Sequence, residues 1–272
     1  MVDKEGQQSQ DPASSPYALI TGGSEGIGRD MSIVLAEKKI NIILVALPGS
    51  ELEEHAGYLA TEFKVKVEHY GIDLTEAGSQ AKVYEWCRSK NLPVFMLINN
   101  AGFGYDGAFE KNDLAKFRKM ILLNNMAPVE LTHYFIPELK KHKVSYILNV
   151  GSMASFFQVP YKAIYSASKN FIYAFSRAIR EELKYDSVHV SCLCPGPTIT
   201  NVDVKQRIEG QGFLVKFAQM KSDRVAKIAI NGLLKNKAFI IPGLSYKFFY
   251  IITRILPKSV LYAMFTKQLK DK

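Results

Sequence analysis

Short apolar runs alternate with longer amphipathic stretches along most of this chain. The run at Asn41–Leu47, NIILVAL, is almost continuously apolar, which is typical of a strand buried on both faces of a parallel sheet. Five further apolar runs predict strands, at Tyr17–Thr21, Val65–Ile72, Val94–Ile98, Val144–Val150 and Val188–Leu193. Stretches between them predict helices at Ile27–Lys38, Glu51–Phe63, Glu76–Lys90, Asp113–Lys140 (with one or two breaks) and Ala163–Tyr185.

This alternation predicts an α/β fold with a doubly wound parallel sheet and helices on both faces. Parallel strands need long crossover connections, and the amphipathic stretches supply them. A further strand near Ala238–Pro242 brings the expected sheet to about seven strands. The chain shows no internal repeat or linker, so we expect one domain over residues 17–243, preceded by a disordered lead-in at 1–16 and followed by an extension at 244–272.

A glycine-rich turn follows the first strand directly and opens the first helix. It reads TGGSEGIG over Thr21–Gly28, with Gly22, Gly26 and Gly28 in the spacing G-x-x-x-G-x-G. Such a turn lets the backbone approach a diphosphate, and the helix N-terminus offers free N–H groups. The strand–turn–helix context favours dinucleotide binding over an ordinary tight turn.

Further motifs follow the later strands in order. Asp73 follows the third predicted strand, where it is either a binding residue or a helix cap, and Asn99-Asn100-Ala101-Gly102 ends the fourth. Ser152 follows the fifth strand, and Tyr165 and Lys169 lie in YSASK at the start of the long helix. An i,i+4 spacing puts the tyrosine and the lysine on one helical face. A turn, PGPTIT, follows the sixth strand over Pro195–Thr200.

Taken together, these motifs resemble those of the classical short-chain dehydrogenase/reductase family, over about residues 17–243. The Ser152 to Tyr165 interval of thirteen residues is similar to the family's. The resemblance implies an oxidoreductase with Ser152, Tyr165 and Lys169 as catalytic residues. It adds Asn124 rather than Asn125, because Asn124 lies thirteen residues before Pro137.

The resemblance also implies where a nicotinamide cofactor binds. Asp73 would meet the adenine ring, Asn99-Asn100-Ala101-Gly102 would stabilise the sheet and pass the adenine ribose, and the turn after the sixth strand would meet the nicotinamide carboxamide. The implied cofactor-binding set is Gly22, Ser24, Gly26, Ile27, Gly28, Asp73, Asn99, Ala101, Gly102, Tyr165, Lys169, Pro195, Gly196, Thr198 and Thr200.

The chemistry of carbonyl reduction accounts for these residue types. A phenol with a pKa near ~10 transfers protons poorly at neutral pH, and a neighbouring ammonium lowers that pKa. Lys169 is placed one helical turn from Tyr165 to do this, and the resemblance adds that it holds the nicotinamide ribose. Ser152 would polarise the carbonyl oxygen, and Asn124, by resemblance, would hold a water linking Lys169 to solvent. We expect no metal.

The end of the second strand bears on the choice between NADP(H) and NAD(H). An acid there binds the ribose of NAD, whereas basic residues accept the phosphate of NADP. This chain has Val45-Ala46-Leu47-Pro48-Gly49-Ser50, with neither an acid nor an arginine. Glu25 in the glycine turn would oppose a phosphate, and Ser50 suits either cofactor. The missing acid favours NADP(H), and NAD(H) stays open.

The charge of the chain is concentrated near its C-terminus. Residues 235–272 hold eight lysines and arginines and one acid, and so carry +7 of the net +9. The remainder is almost neutral, which argues against nucleic-acid binding. The apolar, basic stretch at 244–269 lacks a run of ~20 apolar residues that could span a bilayer. It fits a helix on an anionic membrane, an oligomer interface or a cover over the substrate pocket.

Apolar residues around the predicted site favour a lipid-like ketone, such as a 3-oxoacyl thioester or a steroid. They are Phe103, Tyr105, Phe156, Phe157, Val159, Pro160, Tyr161 and the apolar members of Phe213–Met220. The extension is similar to that of the long-chain 3-oxoacyl reductase and hydroxysteroid dehydrogenase branch of the family, which points to lipid metabolism. The outer face of Ala163–Tyr185 carries Phe171 and Phe175, and the resemblance implies a homodimer or homotetramer.

Location and two competing functions complete the expectations. Residues 1–16 lack the apolar segment of a signal peptide, and Cys87, Cys192 and Cys194 have no zinc spacing and suit core thiols in a reducing compartment. We therefore expect a cytoplasmic location, with peripheral membrane contact left open. The alternatives to an enzyme are a catalytically silent nucleotide sensor and a membrane-surface scaffold with the same fold. The complete Ser–Tyr–Lys set favours the enzyme.

Overall fold

Seven parallel strands form the central sheet of the protein. The computed structural model describes residues 15–199 and 219–256. The described residues form nine strands, seven of them in this sheet: β1 (Tyr17–Thr21), β2 (Asn41–Ala46), β3 (Val67–Gly71), β4 (Val94–Asn99), β5 (Ser145–Val150), β6 (Val188–Leu193), β7 (Thr198–Ile199), β8 (Met220–Lys221) and β9 (Phe239–Ile240). The main sheet has the order β3-β2-β1-β4-β5-β6-β9, and β7 and β8 pair separately. The predicted doubly wound fold is confirmed.

Helices cover both faces of this sheet. They are α1 (Gly26–Glu37), α2 (Ser50–Phe63), α3 (Ser79–Ser89), α4 (Leu114–Ile121), α5 (Ala127–Leu139), α6 (Ala163–Glu182), α7 (Ser222–Leu234) and α8 (Leu244–Ile255). One apolar cluster packs α1, α2 and α7 on the sheet, and a second packs α3 and α5 on the opposite face. Strand order reverses between β1 and β4, so the carboxyl ends of these strands form the crevice where such folds bind ligands.

Three helical regions can be compared with the predicted elements. The expected helix Asp113–Lys140 is interrupted by a π-helical turn at Leu122–Met126, which fits the predicted break. The expected helix from Glu76 starts only at Ser79, because Glu76 and Asp73 form a turn before it. Helix α7 was not predicted, although its buried face, with Val225, packs on the first cluster.

The first part of the predicted extension packs on the domain. Tyr246 of α8 is buried in a third apolar cluster with residues of β6 and α6, and Phe249 and Tyr250 pack against it. Within the described part of the chain, residues after the predicted boundary at residue 243 therefore share a hydrophobic cluster with the domain. Residues 1–14, 200–218 and 257–272 lie outside that part, and with them Thr200 and most of Phe213–Met220.

Candidate active site

The glycine turn between β1 and α1 forms a narrow backbone cradle. Gly22 adopts a left-handed conformation with φ of +62°. A methyl group on Gly28 would overlap the Gly22 carbonyl and the Asn100 side chain, so only glycine fits there. Helix α1 begins at Gly26 without a side-chain cap and without acids in its first turn. Its first N–H groups are therefore available to an anionic group, as a diphosphate requires.

A hydrogen-bonded network joins this turn to the end of β4. The Thr21 hydroxyl accepts from the backbone N–H groups of Asn100 and Ala101, each at 3.0 Å. The Asn100 side-chain amide donates to the Thr21 carbonyl at 2.9 Å and to the Gly22 carbonyl at 3.0 Å. Thr21 and Asn100 thus hold the cradle, and both were missing from the predicted set. Their adjacency appears only once β1 is known to pair with β4.

The Asn99 side chain lies in a hydrogen-bonded network inside the sheet. It is 3% exposed, and its amide donates to Thr132 Oγ1 at 3.2 Å and to Asn149 Oδ1 at 2.8 Å. The Asn149 amide donates in turn to the Ser176 hydroxyl at 3.0 Å. This network ties β4 to β5 and to helices on the same face of the sheet. These bonds fit the sheet-stabilising part that the resemblance implies for Asn99, and its contact with the cofactor stays a prediction.

Asp73 lies in a turn after β3 and does not cap α3. Its Oδ1 accepts from the backbone N–H and from the hydroxyl of Thr75, both at 2.8 Å. The N-cap of α3 is Gly78, five residues further along the chain. The predicted helix-capping role is wrong, whereas a role in binding adenine stays a prediction.

Ser152, Tyr165 and Lys169 come together at the carboxyl end of β5. Ser152 precedes a short 3-10 helix at Met153–Ser155, and its hydroxyl accepts from Ala154 N at 3.1 Å. Tyr165 and Lys169 lie one turn apart in α6, with the lysine Nζ 5.9 Å from the centre of the tyrosine ring. The Lys169 Nζ also donates to the Val150 carbonyl at 2.9 Å.

Burial shifts the pKa of both residues in the α6 pair. Burial raises the pKa of the Tyr165 phenol, and a hydrogen bond with the Ser152 side chain acts in the opposite direction. Burial also lowers the pKa of Lys169 to about 8. The two shifts move the pKa values apart and leave the lysine with the lower one. A titrating acid and base thus lie in one cleft, as proton transfer requires.

Asn124 and Asn125 both lie in the π-helical turn, and they have different partners. The Asn124 side chain accepts from Phe103 N at 3.0 Å and donates to Phe103 O at 2.9 Å. Its amide also lies 3.3 Å from the Ser168 hydroxyl. Asn125 instead donates to the backbone carbonyl of Ser168 at 2.8 Å. Asn124 therefore braces the loop above the Lys169 ammonium, and π-helical turns often occur at functional sites.

The loop after β4 covers one side of Tyr165. A methyl group on Gly104 would approach the Tyr165 ring to 3.1 Å. A cavity of about 440 Å³ lies between this loop and the start of α6. Its largest lining residues are mostly aromatic or aliphatic: Tyr105, Phe109, Phe117, Pro160, Tyr161 and Ile164.

Two of the predicted pocket residues pack elsewhere. Phe156 contacts Tyr250 at a ring distance of 4.6 Å, and Phe157 contacts Phe249 at 5.2 Å. Both rings belong to the third apolar cluster, beneath α8. They support the loop that carries Ser152 and do not line the cavity.

The turn after β6 is joined to the Ser152 loop. The Pro195 carbonyl accepts from Met153 N at 2.9 Å, and the Thr198 hydroxyl donates to the Gly196 carbonyl at 2.9 Å. This turn is therefore tied to the loop that follows Ser152. At the end of β2, the Leu47 side chain is 64% exposed where an acid or base would select between cofactors.

A doubly wound sheet with a glycine cradle and a Ser–Tyr–Lys cleft defines the class of dinucleotide-dependent oxidoreductases. The sequence model of one such family, short chain dehydrogenase, matches residues 16–210. The chain belongs to the short-chain dehydrogenase family. This membership favours the oxidoreductase over the silent sensor and the scaffold.

Curated relatives include very-long-chain 3-oxoacyl-CoA reductases. The chain is 32% identical over 181 residues to that of Kluyveromyces lactis, covering 64% of this chain and 52% of the relative. It is 28% identical over 188 residues to that of Bos taurus, covering 68% and 60%. The matched part thus spans between half and two thirds of the length of these relatives.

Solved structures match over more of their length. The bulky-bulky ketone specific alcohol dehydrogenase of Comamonas testosteroni is 26% identical, with a TM-score of 0.75 over 88% of this chain and 91% of that chain. A short-chain dehydrogenase from Sphingobium yanoikuyae in complex with NADPH is 27% identical, with a TM-score of 0.76 over 88% and 93%.

Proposed function

We propose that this protein reduces a ketone of a lipid-like substrate with NADP(H), and catalyses the reverse oxidation. The observation that carries the proposal is the convergence of Ser152, Tyr165 and Lys169 on one cleft beside the glycine cradle. The cofactor supplies or accepts the hydride when bound. The protein supplies the proton and the orientation of the carbonyl.

Each of the three side chains has a separate part in proton transfer. The Tyr165 hydroxyl donates its proton to the carbonyl oxygen as negative charge develops there. The Ser152 hydroxyl donates a hydrogen bond to the same oxygen and so stabilises that charge. The Lys169 ammonium, 5.9 Å from the centre of the tyrosine ring, stabilises the phenolate that remains. In the oxidation direction the same phenolate removes the proton from the alcohol.

The Lys169 ammonium and the Asn124 brace prepare this arrangement before substrate arrives. The lysine is 6% exposed and is fixed by its hydrogen bond to Val150. A methyl group on Gly102 would lie 2.8 Å from Asn124 Oδ1 and 3.5 Å from the Lys169 Nζ. A proton path from Lys169 to solvent past Asn124 remains part of the proposal.

Two observations support NADP(H) as the cofactor. Leu47 leaves the end of β2 without the acid that would bind the ribose of NAD and repel an added phosphate. A structural relative with 27% identity is described in complex with NADPH. Titration with each reduced cofactor tests this preference, which tighter binding of NADH would contradict.

The cavity between the loop after β4 and the start of α6 supports a bulky, apolar substrate. Its aromatic lining suits an acyl chain or a steroid better than a sugar. The relatives named above act, by their names, on 3-oxoacyl-CoA thioesters and on bulky ketones. We therefore propose a 3-oxoacyl thioester or a steroid ketone as the substrate class.

A ketone panel tests this substrate class. NADPH consumption is measured with a long-chain 3-oxoacyl thioester, a steroid ketone, a short diketone and a sugar ketone. Phe109→Asp puts a charge in the cavity lining, and Leu114→Asp puts one on an exposed leucine of α4 that does not line it. We expect the Phe109 change alone to raise the KM for the apolar substrate. Preference for the sugar ketone would contradict the proposal.

We also propose that α8 rests on an anionic membrane surface. Its outer face carries a stripe of apolar side chains with exposures from 51% to 82%, namely Leu244, Phe248, Ile251 and Ile255. Lys247 lies on the same helix, and the C-terminal residues are strongly basic. This combination fits a helix lying in the membrane interface. No helix in the described ranges, 15–199 and 219–256, is long and apolar enough to cross a membrane.

Co-sedimentation with vesicles tests this contact. The full chain is mixed with phosphatidylglycerol or phosphatidylcholine vesicles at low salt. We expect binding to the anionic vesicles, reduced by Phe248→Ser with Ile251→Ser. Leu114→Ser, which removes an exposed leucine from α4, is the matched control. Equal binding of the double variant and the wild type would contradict the proposal.

Self-association through the outer face of α6 is the last part of the proposal. Phe171 is 45% exposed and stacks on Phe175 with 6.2 Å between the ring centres. An exposed aromatic pair on a long helix fits a contact between two copies of the chain. Light scattering of the wild type and Phe171→Glu tests it, with a monomeric wild type as the contrary result.

A further inference from the structure

Tyr246 of α8 occupies the space beside Gly196 in the turn after β6. A methyl group on Gly196 would overlap the hydroxyl end of the Tyr246 ring, at Cζ, Cε1 and Cε2. The ring therefore lies directly on the backbone of this turn. Because the preceding Pro195 carbonyl accepts from Met153 N, the same turn is fixed to the loop that carries Ser152. Tyr246 thus contacts a turn that is hydrogen-bonded to the loop after Ser152.

The hydroxyl of Tyr246 has an unusual position. Tyr246 is 9% exposed, and its hydroxyl oxygen is buried with no hydrogen-bond partner among the residues that the structure describes. Burial raises the pKa of this phenol to about 12, so it stays a neutral donor at physiological pH. Leaving a buried hydroxyl unpaired is destabilising, because the group has lost its hydrogen bonds to water.

Packing alone does not account for a tyrosine at this position. The neighbours of the ring in the third apolar cluster include Met153, Cys192 and Cys194. A phenylalanine would keep these apolar contacts and its ring would still lie on Gly196, without the unpaired hydroxyl. The hydroxyl is therefore explained if it has a partner in another state of the protein.

We propose that Tyr246 is a cofactor-positioning residue. Its ring fixes the Gly196 turn, and its hydroxyl gains a hydrogen-bond partner when the nicotinamide end of the dinucleotide binds at that turn. This inference rests on the proposed function, because it requires a nicotinamide cofactor. It assigns to α8 a role inside the cleft that is separate from the proposed membrane contact of its outer face.

Tyr246→Phe separates this role from a structural one. We measure the thermal midpoint of the ligand-free protein, and the Kd values of NADPH and of 2′-phospho-ADP-ribose, which lacks the nicotinamide. The variant should unfold at a higher temperature without ligand, because it no longer buries an unpaired hydroxyl. It should bind NADPH roughly three- to ten-fold more weakly, as the loss of one hydrogen bond predicts. Its Kd for the fragment should not change.

Tyr250→Phe is the matched control on the same helix. The Tyr250 side chain hydrogen-bonds Tyr173, and its ring packs on Phe156, whereas the atoms nearest a methyl group on Gly196 all belong to Tyr246. We expect this variant to lower the thermal midpoint and to leave both Kd values unchanged.

Three results would overturn the inference: an unchanged NADPH Kd in Tyr246→Phe, an equal loss for NADPH and the fragment, or the same loss in Tyr250→Phe. Failure of the wild type to bind either ligand would instead count against the proposed function.

Discussion

Lys169 carries its ammonium in a buried position, and we expect this to make the stability of the protein depend on pH. Burial lowers the pKa of this lysine from its ordinary value of 10.5 to about 8 in the folded protein. The unfolded chain therefore binds more protons than the folded protein between these two values. Stability must rise with pH in this window, and the ammonium is destabilising below it.

The size of the effect follows from the shift. A shift of one pKa unit corresponds to about 1.4 kcal/mol, so burying the ammonium costs about 3 kcal/mol at pH 7. Replacing the lysine removes this cost but also leaves the Val150 carbonyl without its donor, which costs about 1–3 kcal/mol at every pH. Only the titration of the lysine makes the difference in the free energy of unfolding change with pH. This change amounts to about 2.5 kcal/mol between pH 7 and 10.

Urea unfolding of the wild type and Lys169→Met measures this change. The free energy of unfolding of the wild type minus that of the variant should increase by about 2.5 kcal/mol between pH 7 and 10. Lys235→Met, at an exposed lysine after α7, is the control for removing a lysine from the surface. A constant difference for Lys169→Met would refute the argument that its ammonium is buried at a cost.

Three further predictions concern the cradle, the sheet network and the serine. Gly28→Ala places a methyl group against the Gly22 carbonyl, so NADPH binding should weaken by at least ~10-fold in a fluorescence titration, and unchanged binding would contradict the cradle. Asn99→Ala leaves Asn149 without its donor and should lower the free energy of unfolding by about 1–3 kcal/mol in urea, with NADPH affinity in the folded protein unchanged. Ser152→Ala should lower kcat by about 100-fold, and a rise in KM alone would argue against its stabilising the oxygen.

Much of the site could be predicted because its motifs lie at fixed spacings on regular elements. The i,i+4 spacing of Tyr165 and Lys169 put both on one face of α6, and the structure has them 5.9 Å apart, ring centre to Nζ. The spacing of Gly22, Gly26 and Gly28 likewise predicted a tight turn at the start of a helix. The structure has this turn, and it leaves no room for a side chain at Gly28.

Features that depend on strand order could not be read from spacing. The contact of Thr21 with Asn100 joins residues 79 positions apart, and it follows from β1 lying next to β4 rather than next to β2 alone. For the same reason, the predicted set contained Asn99 but missed Asn100: the Asn99 side chain bonds inside the sheet, whereas the Asn100 side chain reaches the glycine turn.

The C-terminal helix accounts for the wrong assignment of Phe156 and Phe157. Their position after Ser152 suggested a substrate pocket, but Phe249 and Tyr250 of α8 pack against them instead. An amphipathic pattern predicts a helix with a buried face and does not show which surface covers that face. For the same reason, the contact of Tyr246 with Gly196 could not be predicted from the sequence.

The most direct test of the account compares the wild type with Tyr165→Phe in two measurements on the same samples. One is NADPH-dependent reduction of the best ketone in the panel, and the other is the Kd of NADPH. If Tyr165 is the proton donor, the variant loses at least ~100-fold in kcat while its NADPH affinity stays close to that of the wild type. A variant that keeps full activity would contradict the central claim.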